Sequence, residues 1–321
     1  MNKSIKPHQS SFWIPGGHLQ TVYPFLLRRQ VLPVYKRHKV NTPDGDFIHI
    51  DSINDDQEGP LVVLLHGLEG SSRSHYARAF MNQINRINWS GYVINFRGCS
   101  GEPNELARAY HSGDSDELEW IFGLDMIQRR THVFVVGFSL GGNVLLNWLG
   151  QEKYHKNHII DGAATVSAPY DLVVAGNRLS SGITRLYGNH FLRSLKEKAL
   201  HKIKKYDLSI TEASIRAVTT LKQFDDRFTA PVHGFKNVLD YWGRASSKHH
   251  LGQIKRPIML IHAKNDPFLP GNGIKRLTEN NRNIHLNLTN HGGHVGFTEG
   301  GFPGNTDYLP HVIIRYFKEL L

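Results

Sequence analysis

The pattern that most constrains the fold is the alternation of short, strongly apolar runs with longer amphipathic stretches. Runs such as Leu61–Leu65 and Val133–Val136 have the length of buried strands and fall far short of the ~20 residues of a membrane span. The predicted strands are Asp46–Ile53, Pro60–Leu65, Tyr92–Phe96, His132–Val136, Ala163–Val166, Pro257–His262 and Ile284–Leu288. The predicted helices are Ser74–Ile87, Asp114–Gln128, Asn143–Leu149, a segment after Gly271, and Pro310–Leu321. This order indicates an α/β fold with a largely parallel sheet covered on both faces.

One long stretch interrupts the alternation. Between Val166 and Ile258 lie about ninety residues, far more than an ordinary loop, and their pattern is mostly helical. An insertion at this point would lie over the carboxyl edge of the sheet as a cap. The predicted domains are residues 1–45 as an N-terminal extension packed on the core, residues 46–171 and 253–321 as the core, and residues 172–252 as the helical cap.

Composition narrows the function. The 321 residues carry 38 Lys and Arg against 28 Asp and Glu, for a formal net charge of +10. The positive charge is scattered apart from Arg185–Lys205, and without a recognition motif we expect no nucleic-acid partner. The single cysteine, Cys99, excludes an intramolecular disulfide framework and a cluster of Cys zinc ligands. Met1–Pro15 lacks a signal-peptide core, so we expect a cytoplasmic protein.

A serine lies between a predicted strand and a predicted helix, in the motif Gly137-x-Ser139-x-Gly141. In such a strand–turn–helix context the tight turn exposes the serine hydroxyl at the edge of the sheet, and the glycines permit a backbone that side chains would obstruct. The motif alone is weak, because a glycine-rich turn can hold an incidental serine. The context favours Ser139 as a nucleophile.

A serine nucleophile needs a base, which in turn is oriented by an acid. With this motif, the acid and then the base follow the serine along the chain. The candidate acids are Asp161, Asp171, Asp225, Asp226, Asp240 and Asp266. We predict Asp266 because it alone follows directly on an apolar strand, Ile258–Ile261. Among twenty histidines, His294 lies just beyond the last predicted strand and follows two glycines, which makes it the predicted base; His291 is its nearest rival.

Acyl transfer also needs N–H donors for the oxyanion that develops on the substrate. One predicted donor is the backbone N–H of Leu140, directly after the serine, and the other is that of Leu68, in the loop after Leu61–Leu65. His66 precedes the serine and fits a histidine of the oxyanion loop better than a base. No metal or organic cofactor is needed.

Two weaker features compete with this interpretation. Cys99 lies in a Gly-rich turn, but no strand-to-helix turn surrounds it that would activate a thiol. The spacing His111-x-x-x-x-Asp116 matches an acyltransferase-type pair. The simpler interpretation is that Asp114 or Asp116 lies in the first turn of the following helix, where the helix dipole favours acidic residues.

Together these motifs resemble the YheT-like branch of the α/β-hydrolases, also called AB hydrolase family 4. The matching stretches are Gly17–Thr21, Pro43–Phe47, His66–Gly70, Phe96–Asn104, Tyr110–Gly113, Gly137–Asn143, Phe224–Asp226, His262–Phe268 and His291–Phe297. The resemblance implies the α/β-hydrolase fold, with about eight strands. It also implies a Ser-Asp-His triad at Ser139, Asp266 and His294, in a cytosolic hydrolase of carboxylic esters. Relatives in this family act on acylglycerols or medium-chain esters, and some transfer acyl groups to alcohols.

Three functions remain open from the sequence. The leading hypothesis is a serine hydrolase of short- to medium-chain carboxylic esters or acylglycerols, acting through an acyl-enzyme. The second is an acyltransferase that uses the same triad to pass the acyl group to an alcohol. The third is a non-catalytic binding protein on a hydrolase scaffold, against which the intact triad argues.

The densest basic segment is the predicted helix His190–Tyr206. Its apolar side comprises Leu192, Leu195, Ala199 and Ile203, and its basic residues are Arg193, Lys196, Lys198, Lys202 and Lys204. If the apolar side lines the site, we expect the basic residues to face solvent or an anionic lipid surface. Membrane contact would then be peripheral at most.

Overall fold

In the computed structural model, which describes residues 7–26, 30–156, 159–269 and 271–321, eight strands form one sheet. The strands are β1 (Lys36–Asn41), β2 (Phe47–Ile53), β3 (Leu61–Leu65), β4 (Ser90–Asn95), β5 (Val133–Phe138), β6 (Gly162–Val166), β7 (Ile258–Ala263) and β8 (Ile284–Thr289). Their spatial order is β1-β2-β4-β3-β5-β6-β7-β8. Strand β2 is antiparallel to β1 and β4, and the remaining pairs are parallel. The predicted mostly parallel sheet is confirmed.

The helices cover both faces of the sheet, as the sequence predicts. They are α1 (Gly16–Leu26), α2 (His75–Arg86), α3 (Ser115–Phe122), α4 (Asp125–Gln128), α5 (Leu140–Gly150), α6 (Leu172–Leu179), α7 (Arg185–Lys205), α8 (Glu212–Arg216), α9 (Leu221–Phe224), α10 (Ala230–Val232), α11 (Val238–Ala245), α12 (Ile274–Thr278) and α13 (Tyr308–Lys318). Shorter 3₁₀ turns are Glu152–Tyr154, Ser247–His249, Leu251–Gln253 and Gly271–Gly273, and Asp225–Thr229 is a π-helical turn. One apolar core lies on the side of α3 and α5, and the other on the side of α2 and α13.

The structure differs from the prediction at one helix and at one strand. The single helix expected at Asp114–Gln128 is two helices, because Gly123 ends α3 and Leu124 caps α4 in an extended conformation. Strand β1 was not predicted, and it forms an edge of the sheet inside the expected N-terminal extension. Residues 1–6 and 27–29 of that extension lie outside the described residues.

Helices α6 to α11 connect β6 to β7, where the sequence predicts the cap. They bury two apolar clusters of their own, one around α7, α8 and α9 and the other around α10 and α11. The partly buried Leu68 packs against the first cluster, which places that part of the connection beside the loop after β3. The division into extension, core and cap stays a prediction.

Two lysines of helix α7 are less exposed than the sequence predicts. Lys202 is buried, and its ammonium group donates to the Asn104 side chain at 2.8 Å and to a backbone carbonyl. Lys196 donates to the carbonyl oxygens of Arg216 and Val218, at 2.6 and 2.9 Å. These two side chains hold α7 onto neighbouring segments; the expectation that the basic residues face solvent or lipid is wrong for the buried Lys202, whereas Lys196 is half-buried. Within the described ranges, no helix is both long and apolar enough to cross a bilayer.

Candidate active site

Ser139 lies at the sharp turn between β5 and α5. Its φ is +50°, a conformation that is uncommon for a side-chain-bearing residue and that is typical of strained functional turns. A Cβ on Gly137 would approach the Gly141 carbonyl oxygen to 2.7 Å, and one on Gly141 would approach the Leu65 carbonyl oxygen to 2.6 Å. The two glycines of the motif are therefore needed for the backbone to close this turn.

Three predicted residues meet in one hydrogen-bonded chain. His294 Nε2 lies 2.8 Å from Ser139 Oγ, and His294 Nδ1 lies 2.8 Å from Asp266 Oδ2. Because a carboxylate accepts only, the proton of the neutral imidazole belongs on Nδ1, which leaves Nε2 free to accept from the serine hydroxyl. The other carboxylate oxygen accepts from the backbone N–H of Phe268 at 2.8 Å and of Leu269 at 3.3 Å. Asp266 is thus fully buried and fixed in orientation.

The other candidates for catalytic residues, which are His291, Cys99 and the pair His111 and Asp116, do not form such a hydrogen-bonded chain with Ser139. His291 is exposed, and it is His294 that contacts the serine. Burial raises the pKa of the Cys99 thiol to about 12, so it is not a thiolate at neutral pH. Asp116, in the first turn of α3, accepts from Lys153 and Tyr154 and is not hydrogen-bonded to His111.

Both predicted oxyanion donors are next to the serine. Leu68 and Leu140 line the same cavity as Ser139 and His294. Among the described residues, neither backbone N–H donates to a protein acceptor, so both remain available to a ligand. A Cβ on Gly67 would lie 3.0 Å from Ser139 Cβ, which shows how closely the loop after β3 approaches the serine.

His66 holds that loop in place rather than acting as a base. Its Nε2 accepts from the Phe96 backbone N–H at 3.1 Å, so its Nδ1 carries the proton and donates to the Gly67 carbonyl at 2.7 Å. Full burial lowers the pKa of this imidazole to about 4, so it stays neutral.

The Gly17–Thr21 stretch, which had no assigned role, connects the acid loop to the base loop. The buried Gln20 amide oxygen accepts from the Gly292 N–H and from the Asn265 side-chain amide, both at 2.9 Å. Asn265 also accepts from the Gly293 N–H at 3.1 Å. One glutamine therefore ties the loop that precedes Asp266 to the loop that precedes His294.

Thr21 contacts the base loop directly. Its hydroxyl accepts from the His294 backbone N–H at 2.9 Å and donates to the Gly17 carbonyl at 2.7 Å. A Cβ on Gly293, whose φ is +61°, would come within 2.7 Å of the Gly17 carbonyl oxygen, so the approach requires glycine. We call Gln20, Thr21 and Asn265 the loop clamp.

Two spaces open at Ser139. The first is a cavity of about 110 Å³ between the serine and α6, α7, α9 and α11, and its walls are mainly apolar. The second, about 360 Å³, is an open apolar groove between α1 and α7 that also reaches Ser139 and His294. The serine can therefore contact two substituents of one substrate, one in the smaller cavity and one in the open groove.

Asp225, in the Phe224–Asp226 motif, lines the smaller cavity and was not predicted as a site residue. It accepts from the Thr229 hydroxyl at 2.7 Å and from the Trp242 indole N–H at 2.8 Å. Desolvation in this largely apolar surrounding raises the pKa of this carboxyl to about 6. Asp225 lies in a π-helical turn, which sequence patterns do not reveal. Turns of this kind are frequent at functional sites. Within the described ranges, no group of three His, Cys, Asp or Glu residues could hold a metal ion.

Comparison with known proteins shows the family of this chain. A family model described as the alpha/beta hydrolase fold matches residues 60–301. The Escherichia coli protein named "Putative esterase YheT" is 38% identical over 88% of this chain and 84% of its own. Human "Phospholipase ABHD3" is 26% identical over 96% of this chain and 78% of its own. The solved Pyrococcus furiosus esterase Pf2001 is 17% identical and supports the fold alone, with a TM-score of 0.54 over 91% of this chain and 95% of its own. By the extent of the family match and its identity with YheT, this chain belongs to the α/β-hydrolase fold family.

Proposed function

We propose that this protein is a serine hydrolase of carboxylic esters. The observation that carries the proposal is the pair of 2.8 Å hydrogen bonds that connects Ser139 through His294 to Asp266. Ser139 Oγ attacks the ester carbonyl carbon while His294 Nε2 takes its proton, and Asp266 holds the imidazole and stabilises its charged form. The relatives named as an esterase and a phospholipase support action on esters.

In the next steps His294 passes on each proton that it has taken up. The carbonyl oxygen becomes an oxyanion that accepts from the N–H groups of Leu68 and Leu140, each contributing up to about 10²–10³ in rate. Collapse of this intermediate breaks the bond to the alcohol, which leaves with the proton from His294. Water then attacks the acyl-Ser139 carbonyl and gives its proton to His294. Collapse of this second intermediate breaks the bond to Ser139 Oγ, which takes the proton from His294, and the carboxylic acid leaves. No metal or cofactor takes part.

The two spaces at the serine suggest how a substrate is divided. We assign the acyl chain to the smaller apolar cavity and the alcohol portion to the larger open groove, because the alcohol must leave before water enters. The proposed substrates are short- to medium-chain acyl esters or acylglycerols. The apolar groove also favours a second candidate, transfer of the acyl group to an alcohol that binds there instead of water. Product analysis with added ethanol separates the two, because transfer yields the ethyl ester.

Covalent labelling with a fluorophosphonate tests the proposal. The wild-type protein should be labelled and should hydrolyse p-nitrophenyl esters, whereas Ser139→Ala should do neither while keeping its fold. His294→Ala should lose nearly all turnover, and the matched variant His291→Ala should keep most of it, since His294 alone of the two contacts Ser139.

If Ser139→Ala is still labelled, Ser139 is not the nucleophile. If His291→Ala loses more turnover than His294→Ala, the base is His291 and not His294. A protein that is neither labelled nor active would instead be a binding protein on this scaffold.

A further inference from the structure

Large apolar side chains are exposed on α1 and around the start of α7, the two segments that flank the open groove. Leu19, Phe25, Leu26, Ile183 and Leu186 each expose between 53% and 69% of their surface. Phe25, Leu26 and Leu186 also line the groove itself. We call these five residues the groove rim.

The exposed apolar residues of the rim are grouped and not scattered over the surface. Leu19, Phe25 and Leu26 belong to α1, Leu186 lies in the first turn of α7 and Ile183 lies two residues before that helix; α1 and α7 face each other across the groove. Single exposed apolar residues are normal, but a group of them at the mouth of a site marks an interaction surface. On α1, Leu19 and Leu26 lie seven residues apart and therefore on one side of the helix.

The distribution of charged residues in α1 and around the start of α7 indicates which kind of surface the rim binds. Residues 1–43 contain no Asp or Glu, and neither do residues 172–196. Exposed Arg185 lies beside Leu186 on the rim, and Arg178 and Arg193 are also exposed in the second segment. The one carboxylate among the described residues that line the groove, Glu69, is nearly buried and paired with Lys198 at 2.8 Å. An apolar surface with basic residues and no exposed acid is complementary to an anionic lipid surface.

We propose that the groove rim docks on an anionic phospholipid bilayer, with its apolar side chains entering the boundary between headgroups and acyl chains. The groove would then open into the lipid, and an ester could pass from the bilayer to Ser139 without crossing water. This consequence for substrate supply rests on the proposed ester hydrolysis, whereas the docking itself does not. The basic surface involved is the start of α7, not Lys196 and Lys202, which are engaged within the protein.

The first test measures binding by sedimentation with vesicles, using full-length Ser139→Ala so that hydrolysis plays no part. The protein should sediment with equimolar phosphatidylglycerol and phosphatidylcholine at low salt and less so near ~0.15 M salt, but not with phosphatidylcholine alone. Arg185→Glu should weaken binding about 25-fold, because each basic residue at an anionic surface contributes about fivefold. Arg276→Glu, on exposed α12, makes the same change in net charge away from the groove and should bind as the parent does.

A second test removes the apolar contribution. Leu19→Ser combined with Ile183→Ser should reduce binding that persists at ~0.15 M salt, while Leu239→Ser, exposed to a similar extent on α11, should not. No sedimentation with anionic vesicles at low salt, or equal loss in Arg185→Glu and Arg276→Glu, would overturn the proposal. Self-association that the rim variant abolishes would also overturn it and would assign the rim to a second copy of the chain. Binding without any ester hydrolysis would leave the docking intact and refute the proposed function.

Discussion

The substitution Thr21→Val tests whether the loop clamp positions His294. Valine keeps the shape of threonine but cannot accept the hydrogen bond that the His294 backbone N–H donates to the Thr21 hydroxyl at 2.9 Å. The side chain lies more than 270 residues away in the chain from the histidine that it holds, and it makes no bond to Ser139. We therefore expect Thr21→Val to act through His294 as a loss of positioning.

The size of the effect follows from the bond that is lost. A buried N–H without an acceptor costs about 1–3 kcal/mol. This cost falls on the loop conformation that places His294 Nε2 2.8 Å from Ser139 Oγ. If the loop avoids the cost by leaving that conformation, the active fraction falls about 5- to 150-fold, since about 1.4 kcal/mol corresponds to a factor of ten. The loss should appear in kcat, with KM for a small ester changed little.

The assay is steady-state hydrolysis of p-nitrophenyl butyrate over pH 5–9, together with the rate of fluorophosphonate labelling. Both rates should fall in parallel in Thr21→Val, and Thr21→Ser, which keeps the hydroxyl, should restore most of the activity. A purely structural role would lower the midpoint of thermal unfolding without changing kcat per folded molecule. Equal kcat in the valine, serine and wild-type proteins, all folded, would refute the positioning role.

Two further predictions concern buried titratable groups. The raised pKa of Asp225, about 6 against an ordinary 3.8, means that the folded state holds a proton that the unfolded state has lost. The contribution of Asp225 to the unfolding free energy should therefore fall by about 2 kcal/mol as pH rises from 4 to 6, which urea titrations measure as the difference between the wild type and Asp225→Asn at the two pH values. Cys99→Ser should retain ester hydrolysis, and native Cys99 should resist iodoacetamide at pH 8, because a pKa of about 12 leaves about 10⁻⁴ of the thiol ionised. Rapid alkylation of the folded protein would contradict the second prediction.

The parts of the fold that the sequence predicts are those with strong local patterns. Strands β3 to β7 are wholly buried, and their continuous apolar runs are visible without any tertiary information. Strand β1, Lys-Arg-His-Lys-Val-Asn, has one apolar residue and an exposed pattern, because it pairs on one side only. The same limit explains Lys202, whose burial depends on acceptors about a hundred residues away.

The predicted site residues were found by a similar rule. Ser139 and Asp266 follow the buried strands β5 and β7, and His294 follows the partly exposed edge strand β8, so all three lie at the carboxyl edge of the sheet and topology brings them near one another. Leu68 follows β3 in the same way. Asp225 follows no strand, and its place in the cavity depends on how α9 and α11 pack.

The loop clamp shows why a site can extend beyond the part of a fold that carries its motifs. His294 sits in a loop where Gly293, Val295 and Phe297 all have positive φ, so the loop conformation is not one that the backbone favours by itself. Side chains outside the loop hold it. Asn265 and Ser167 accept from the backbone N–H groups of Gly293 and Val295, and Gln20 and Thr21 accept from those of Gly292 and His294. Gln20 and Thr21 lie before residue 60, where the match to the family model begins. The sheet therefore brings the serine, acid and base to one edge, while an N-terminal helix that adds no reacting group sets the geometry between them.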